Sequence, residues 1–174
     1  PCFEHDPDAW VRIIHYWHFN DLPDEELESV EADFSVDDAG VITYPGTGAG
    51  YMDRRTHRAA DPVSNLNLQM GQEPDQGAVL RVRNPSNTRE LIVTAPSTGF
   101  TDIFGAYATC RTSNGATLQA LYYSTDGGEQ WTLLKEEYEI FELPDWRLET
   151  FDLRGVTEAD DNPDLMFKFL FLGE

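Results

Sequence analysis

The chain has 174 residues and sets 12 Lys and Arg against 32 Asp and Glu, a formal net charge of −20. That imbalance makes nucleic acid and anionic membrane surfaces poor partners for the chain as a whole, and no apolar segment is long enough for membrane insertion. The length is about one domain's worth and supports a sizeable core.

Only two of the basic residues are lysines, Lys135 and Lys168. An acidic, lysine-poor surface fits a high-salt habitat, where dense carboxylates hold water and screening mutes their repulsion; it equally fits an ordinary acidic secreted protein. Starting at Pro1 rather than Met, the chain reads as a piece of something longer.

Residues 1–10 are acidic and proline-punctuated and read as a linker, leaving 11–174 as a single domain. Val11 to Phe19 is β-branched and aromatic and predicts the first strand. His15 and His18 lie three apart within it, on opposite faces of a strand, so they read as satisfied strand histidines rather than a shared metal pair. An acidic run follows. In it Glu31 and Asp33 alternate on one side of an extended segment, with Val30, Ala32 and Phe34 on the other. Such a grouping of carboxylates can hold Ca²⁺, which takes 6–8 oxygens; the plainer reading is a solvated acidic loop.

Gly40 to Tyr44 predicts a short strand. The glycine-rich Pro45 to Gly50 has no phosphate-loop lysine and opens no helix, so it is no phosphate cradle. Tyr51 to Gly77 reads as the longest irregular region, with Arg54, Arg55, His57 and Arg58 followed by the amides of Asn65, Asn67, Gln69 and Gln72. Between Asp53 and Arg111 there are seven arginines and six acids, so this third alone is not strongly acidic. Pairing with the protein's own carboxylates is the favoured use of these arginines, and an anionic ligand the alternative.

From Gly77 strands come quickly: Ala78 to Arg83, Arg89 to Ala95, and Asp102 to Thr112. Thr117 to Leu134 is the strongest local signal, two alternating runs around Asp126-Gly127-Gly128 that predict a β-hairpin. Leu134 to Leu143 reads as strand or short helix, and Arg147 to Leu153 and Leu165 to Leu172 as closing strands. No helical periodicity is sustained anywhere. The pattern predicts an all-β antiparallel β-sandwich, specifically a jelly roll with the last strand beside the first. Cys110 reads as a small buried thiol, with a Cys2–Cys110 bridge as the alternative.

The hairpin fits Ser-x-Asp-x-Gly-x-x-Trp through Ser124, Asp126, Gly128 and Trp131. It resembles the Asp-box hairpin of sialidase-type propellers, where the carboxylate braces the turn; a single copy argues against a propeller. Asp126 is therefore expected to brace its turn. Trp17 and Trp131 are expected in the core. No nucleophile elbow, zinc motif or dinucleotide fingerprint is present, and the expectation is a protein that is not an enzyme.

The stretches YWHFNDLP, ITYPGTGAGYMDR, LRVRNPSNTREL, YSTDGGEQW and FDLRGVTEADDNP together resemble a module of large secreted proteins of polysaccharide-degrading bacteria. Such modules are similar to jelly-roll, galactose-binding-like carbohydrate-binding modules. The resemblance implies an extracellular, non-catalytic domain, partnered by a polysaccharide or glycan and by neighbouring domains of the parent protein, with a structural calcium ion. The candidate calcium ligands it implies are Asp21, Glu31, Asp33 and Asp152. For sugar, an exposed aromatic face and polar partners are needed; the loop candidates are Tyr44, Tyr51 and Trp146 with Arg54, Arg55 and Asn65. The competing expectation is a calcium-stiffened structural or adhesion spacer that binds no sugar.

Overall fold

The computed structural model describes residues 11–56 and 78–173. Thirteen strands are described: β1 (His15–Tyr16), β2 (Glu26–Leu27), β3 (Ser29–Glu31), β4 (Phe34–Ser35), β5 (Val41–Thr43), β6 (Tyr51–Thr56), β7 (Ala78–Arg83), β8 (Leu91–Thr94), β9 (Phe104–Thr109), β10 (Leu118–Ser124), β11 (Thr132–Glu139), β12 (Arg147–Asp152) and β13 (Met166–Leu172). Two single 3₁₀ turns, Ser86–Thr88 and Thr157–Ala159, are the helical elements among the described residues.

One layer is a six-stranded sheet in the order β11-β10-β13-β8-β5-β3, and every strand pairing in it is antiparallel. Two smaller sheets face it. The pair β9–β12 covers the β10–β13 end, where Ile103, Leu121, Leu153, Leu165, Phe167 and Phe169 form one buried cluster. The sheet β2-β6-β7 covers the β3–β5 end, where Val30, Ile42, Tyr44 and Met52 form a second. Leu91 and Val93 of β8 pack against both clusters and join them. The architecture is thus an all-β antiparallel sandwich, as the period-two patterning predicts.

Alternation decides the faces. Phe167 and Phe169 of β13 point inward, while Lys168 between them lies opposite Tyr122 on the outer face. Phe151 of β12 lies over Gly105 of β9, where an added Cβ would sit 2.4 Å from the ring. A larger residue there would have to push the Phe151 ring aside.

Three local expectations change. Tyr51–Thr56, expected to be irregular, is a strand paired along its length with β7. Its one apolar residue, Met52, is fully buried, and cross-strand pairing rather than its own pattern makes it β. Leu134 to Leu143, open between strand and helix, supplies most of β11 and then an irregular end. The last strand does not pair with the first: β13 sits between β10 and β8, and β1 pairs with β4. The N-terminal strand still reaches the same interior, because Ile14 packs against the cluster that holds Phe167.

Trp17 is half-buried against the second cluster and its indole N–H donates to Val30 O at 3.4 Å. Trp131, expected in the core, lies on the outer face instead, with the Lys168 ammonium 4.6 Å from its ring and 5.4 Å from that of Tyr122. The Cys2–Cys110 pairing involves residue 2, outside the described residues. No helix among the described residues is long and apolar enough to cross a membrane.

Candidate functional site

The residues expected to bind sugar do not gather in one place. Tyr44 is 4% exposed; its hydroxyl donates to Ser86 O at 2.5 Å and Arg89 lies 5.7 Å over its ring. It is a core residue with no free face for a ligand. Tyr51 opens β6 opposite Arg83, whose guanidinium stacks 5.6 Å from the ring. Strand alternation places Asp53 and Arg55 on the Tyr51 side and Arg54 on the Met52 side. The Arg54 Nε is buried without a hydrogen-bond partner. Arg55 is exposed. Trp146 is half-buried before β12, in the other half of the layer, and Asn65 lies outside the described residues.

Two arginines of this sheet, Arg81 and Arg83, answer one carboxylate of the chain. Arg81 Nε donates to Asp53 Oδ1 at 2.7 Å, its Nη2 reaches Asp53 Oδ2, and Arg83 Nη1 lies 3.8 Å from the same oxygen. Elsewhere Arg111 pairs with Glu142, Arg147 with Glu149 and Arg154 with Asp152. Within the basic middle third, internal pairing with carboxylates holds for Arg81, Arg83 and Arg111, whereas Arg89 donates to the Gly48 and Tyr44 carbonyls and Arg58 lies outside the described residues.

Of the four expected calcium ligands, Asp21 and Asp33 converge, and the third member of their group is His18, with one ligand atom from each within 4.8 Å of the others. Asp33 is already engaged. Its Oδ2 accepts the His18 N–H at 2.6 Å and the Phe19 N–H at 3.2 Å, and its Oδ1 lies 3.3 Å from His18 Nε2. His18 Nδ1 accepts the Asn20 N–H at 3.1 Å, so the hydrogen on Nε2 faces Asp33. Donors aimed at a carboxylate suit an anion and repel a cation. Asp33 thereby holds Phe19 in its left-handed conformation, φ 62°. Glu31 does not join the group, and Asp152 accepts from the backbone N–H and guanidinium of Arg154, which holds its carboxyl below the usual range. Among the described residues the four expected ligands do not gather into the shell of converging oxygens that calcium takes.

The hairpin turn builds a better-formed place. Ser124 donates its hydroxyl to Asp126 Oδ1 at 2.7 Å and accepts the Gly128 N–H at 2.9 Å. Asp126 in turn accepts the Gln130 backbone N–H at 2.9 Å and its side-chain amide at 3.2 Å. Gly127 and Gly128 take positive φ, 71° and 92°, which this turn requires. The Gln130 N–H, then the Ser124 hydroxyl, keep the Asp126 carboxyl below the usual range and therefore ionised near neutrality.

Across from this turn stands the 3₁₀ turn of Glu158. Asn162 ties the two together: its side-chain amide donates to Thr125 O at 2.9 Å and to Glu158 O at 2.6 Å. Between them opens a cleft of about 310 Å³ lined by Tyr123, Ser124, Thr125, Asp126, Gln130, Thr132, Val156 and Glu158. It holds hydroxyls, an amide and two carboxylates, with no Lys, Arg or His in its lining, while the Tyr123 ring packs inward against the core cluster. Sequence reasoning named Asp126 as a brace and missed the cleft, because Glu158 and Asn162 reach the hairpin only through the fold.

A second polar group is closed to ligands. Glu149, 2% exposed, meets Lys135 Nζ through Oε2, while Arg147 Nε approaches Oε1 as an ion pair without hydrogen-bond alignment. Beside it Tyr107 donates to Tyr138, which donates to Gln119 Oε1. Burial pushes Tyr138 up to about 12 and Tyr107 higher still, so both stay protonated donors rather than bases. Comparison with protein-family models, with curated proteins and with solved structures returns no match.

Proposed function

We propose that the domain is a non-catalytic, carbohydrate-binding module of a larger secreted protein, keeping neighbouring domains close to a glycan. The observation that carries this reading is the cleft beside Asp126. At about 310 Å³ it lies at the small end of ligand sites and has room for one pyranose-sized ring. Its lining offers hydrogen-bonding partners for sugar hydroxyls in Thr125, Gln130, Thr132 and Glu158. Avidity from a tethered neighbour raises the effective strength of such a small site.

Affinity electrophoresis through gels carrying different polysaccharides, with and without chelator, tests the reading. Retardation that Thr132→Arg removes, and that Tyr51→Ala and Trp146→Ala leave intact, assigns the sugar to the hairpin cleft. Thr132 is exposed, so Arg there blocks the cleft without disturbing the core. Retardation on no glycan overturns the proposal in favour of a structural spacer.

A further inference from the structure

Resting on that glycan-binding reading, we infer that the saccharide taken by the cleft carries a protonated amino group, as an unacetylated hexosamine does. The lining places two carboxylates, Asp126 and Glu158, around a space with no cationic side chain. Their availability differs. Asp126 spends most of its lone pairs on Ser124 and Gln130, so it contributes charge more than free acceptors. Glu158 is exposed and receives only the Thr157 hydroxyl at 3.3 Å among the described contacts, so its carboxylate is open to a ligand.

A uronate or sulfated sugar placed there would put its anion beside both carboxylates, with no arginine fork to receive it. An ammonium has three donors for Glu158 and the neighbouring hydroxyls. The net charge of −20 attracts any polycation at low salt, but at physiological ionic strength charges beyond about 8 Å are largely screened. What remains is local, and Glu158 supplies it.

The test is calorimetric titration, at physiological salt, of the intact chain with three short oligosaccharides: a free-amine hexosamine, its N-acetylated counterpart, and a uronate oligomer. The free amine is expected to bind about fivefold more tightly than the acetylated form, the gain of one partly exposed ion pair. Glu158→Gln should abolish that preference. Glu28→Gln, an equal loss of charge beside β3 at the far edge of the sheet from β11, should leave it intact. Equal binding of amine and acetylated forms, both lost in Thr132→Arg, overturns this inference and keeps the glycan-binding reading. Preferred binding of the uronate overturns it as well. Binding of none of the three, with no retardation on any gel, removes both.

Discussion

Tyr107 of β9 meets Phe169 of β13 edge-on, with ring centroids 5.0 Å apart and planes at 89°. This contact ties the small sheet to the six-stranded one, and Phe151 meets Phe167 beside it at 4.7 Å with the planes tilted by 46°. Edge-to-face pairs add about 0.5–1.5 kcal/mol to the burial of the rings themselves.

Phe169→Ala should therefore destabilise the fold by about 3–5 kcal/mol, since it removes a buried aromatic between two layers. Tyr107→Phe keeps the ring and loses only the hydroxyl bonded to Tyr138, so its cost should be about 1 kcal/mol. Urea denaturation of both variants measures the difference. Equal costs would show that the layers are not joined through the ring.

Glu149 is a carboxylate at 2% exposure held between two cations. Breaking a buried pair strands the charges left behind, so Glu149→Ala should cost about 3–5 kcal/mol. Glu149→Gln, which keeps an acceptor in place, should cost less. A loss below about 1 kcal/mol in Glu149→Ala would mean that Lys135 and Arg147, each about one-third exposed, find water readily.

His15 links β1 to two other segments: Nε2 donates to Pro96 O at 2.7 Å and Nδ1 accepts the Ser35 hydroxyl at 2.9 Å. Burial lowers its pKa from 6.5, outweighing the opposing pull of the Pro96 carbonyl and Asp38. Below pH 6.5 the unfolded chain takes up the proton before the folded one does, so stability falls on acidification from about pH 6.5 and levels once the folded form is protonated. The melting temperature should show that limb in the native chain, and His15→Gln should flatten it. An unchanged limb in the variant would assign it to other groups.

Asp33 serves the backbone of His18 and Phe19, which predicts two results. Asp33→Ala, leaving two N–H groups without their acceptor and Phe19 at positive φ, should lose about 1–3 kcal/mol. With Asp33 turned to backbone donors, calcium or chelator should shift the melting temperature of the native chain by less than about one degree, since only a metal bound by the folded state stabilises it. A calcium-dependent rise that Asp33→Asn removes would reverse that assignment.

Much of the architecture was legible because it rests on period two. β7, β8, β10, β12 and β13 follow their alternating or apolar runs, and Asp126-Gly127-Gly128 makes the hairpin turn its glycines demand. β6 was not legible. Its residues Asp53, Arg54 and Arg55 carry no apolar stripe, and its pairing comes from β7, after a long intervening segment. Tyr44 and Tyr51 look alike in sequence; one is enclosed by Ser86 and Arg89, the other left beside Arg83. Nothing local distinguishes them.

The amino-acid order by itself determined an all-β chain, a hairpin closed by Ser124, Asp126 and two glycines, and a large acid excess. These follow from short-range sterics, alternation and summed charge. The tertiary structure alone decided that β13 runs between β8 and β10, that Asp33 turns to backbone N–H groups, and that Asn162 brings Glu158 across from Asp126 to open a cleft. Those contacts join residues far apart along the chain, and only the packing of the two layers brings them within bonding distance.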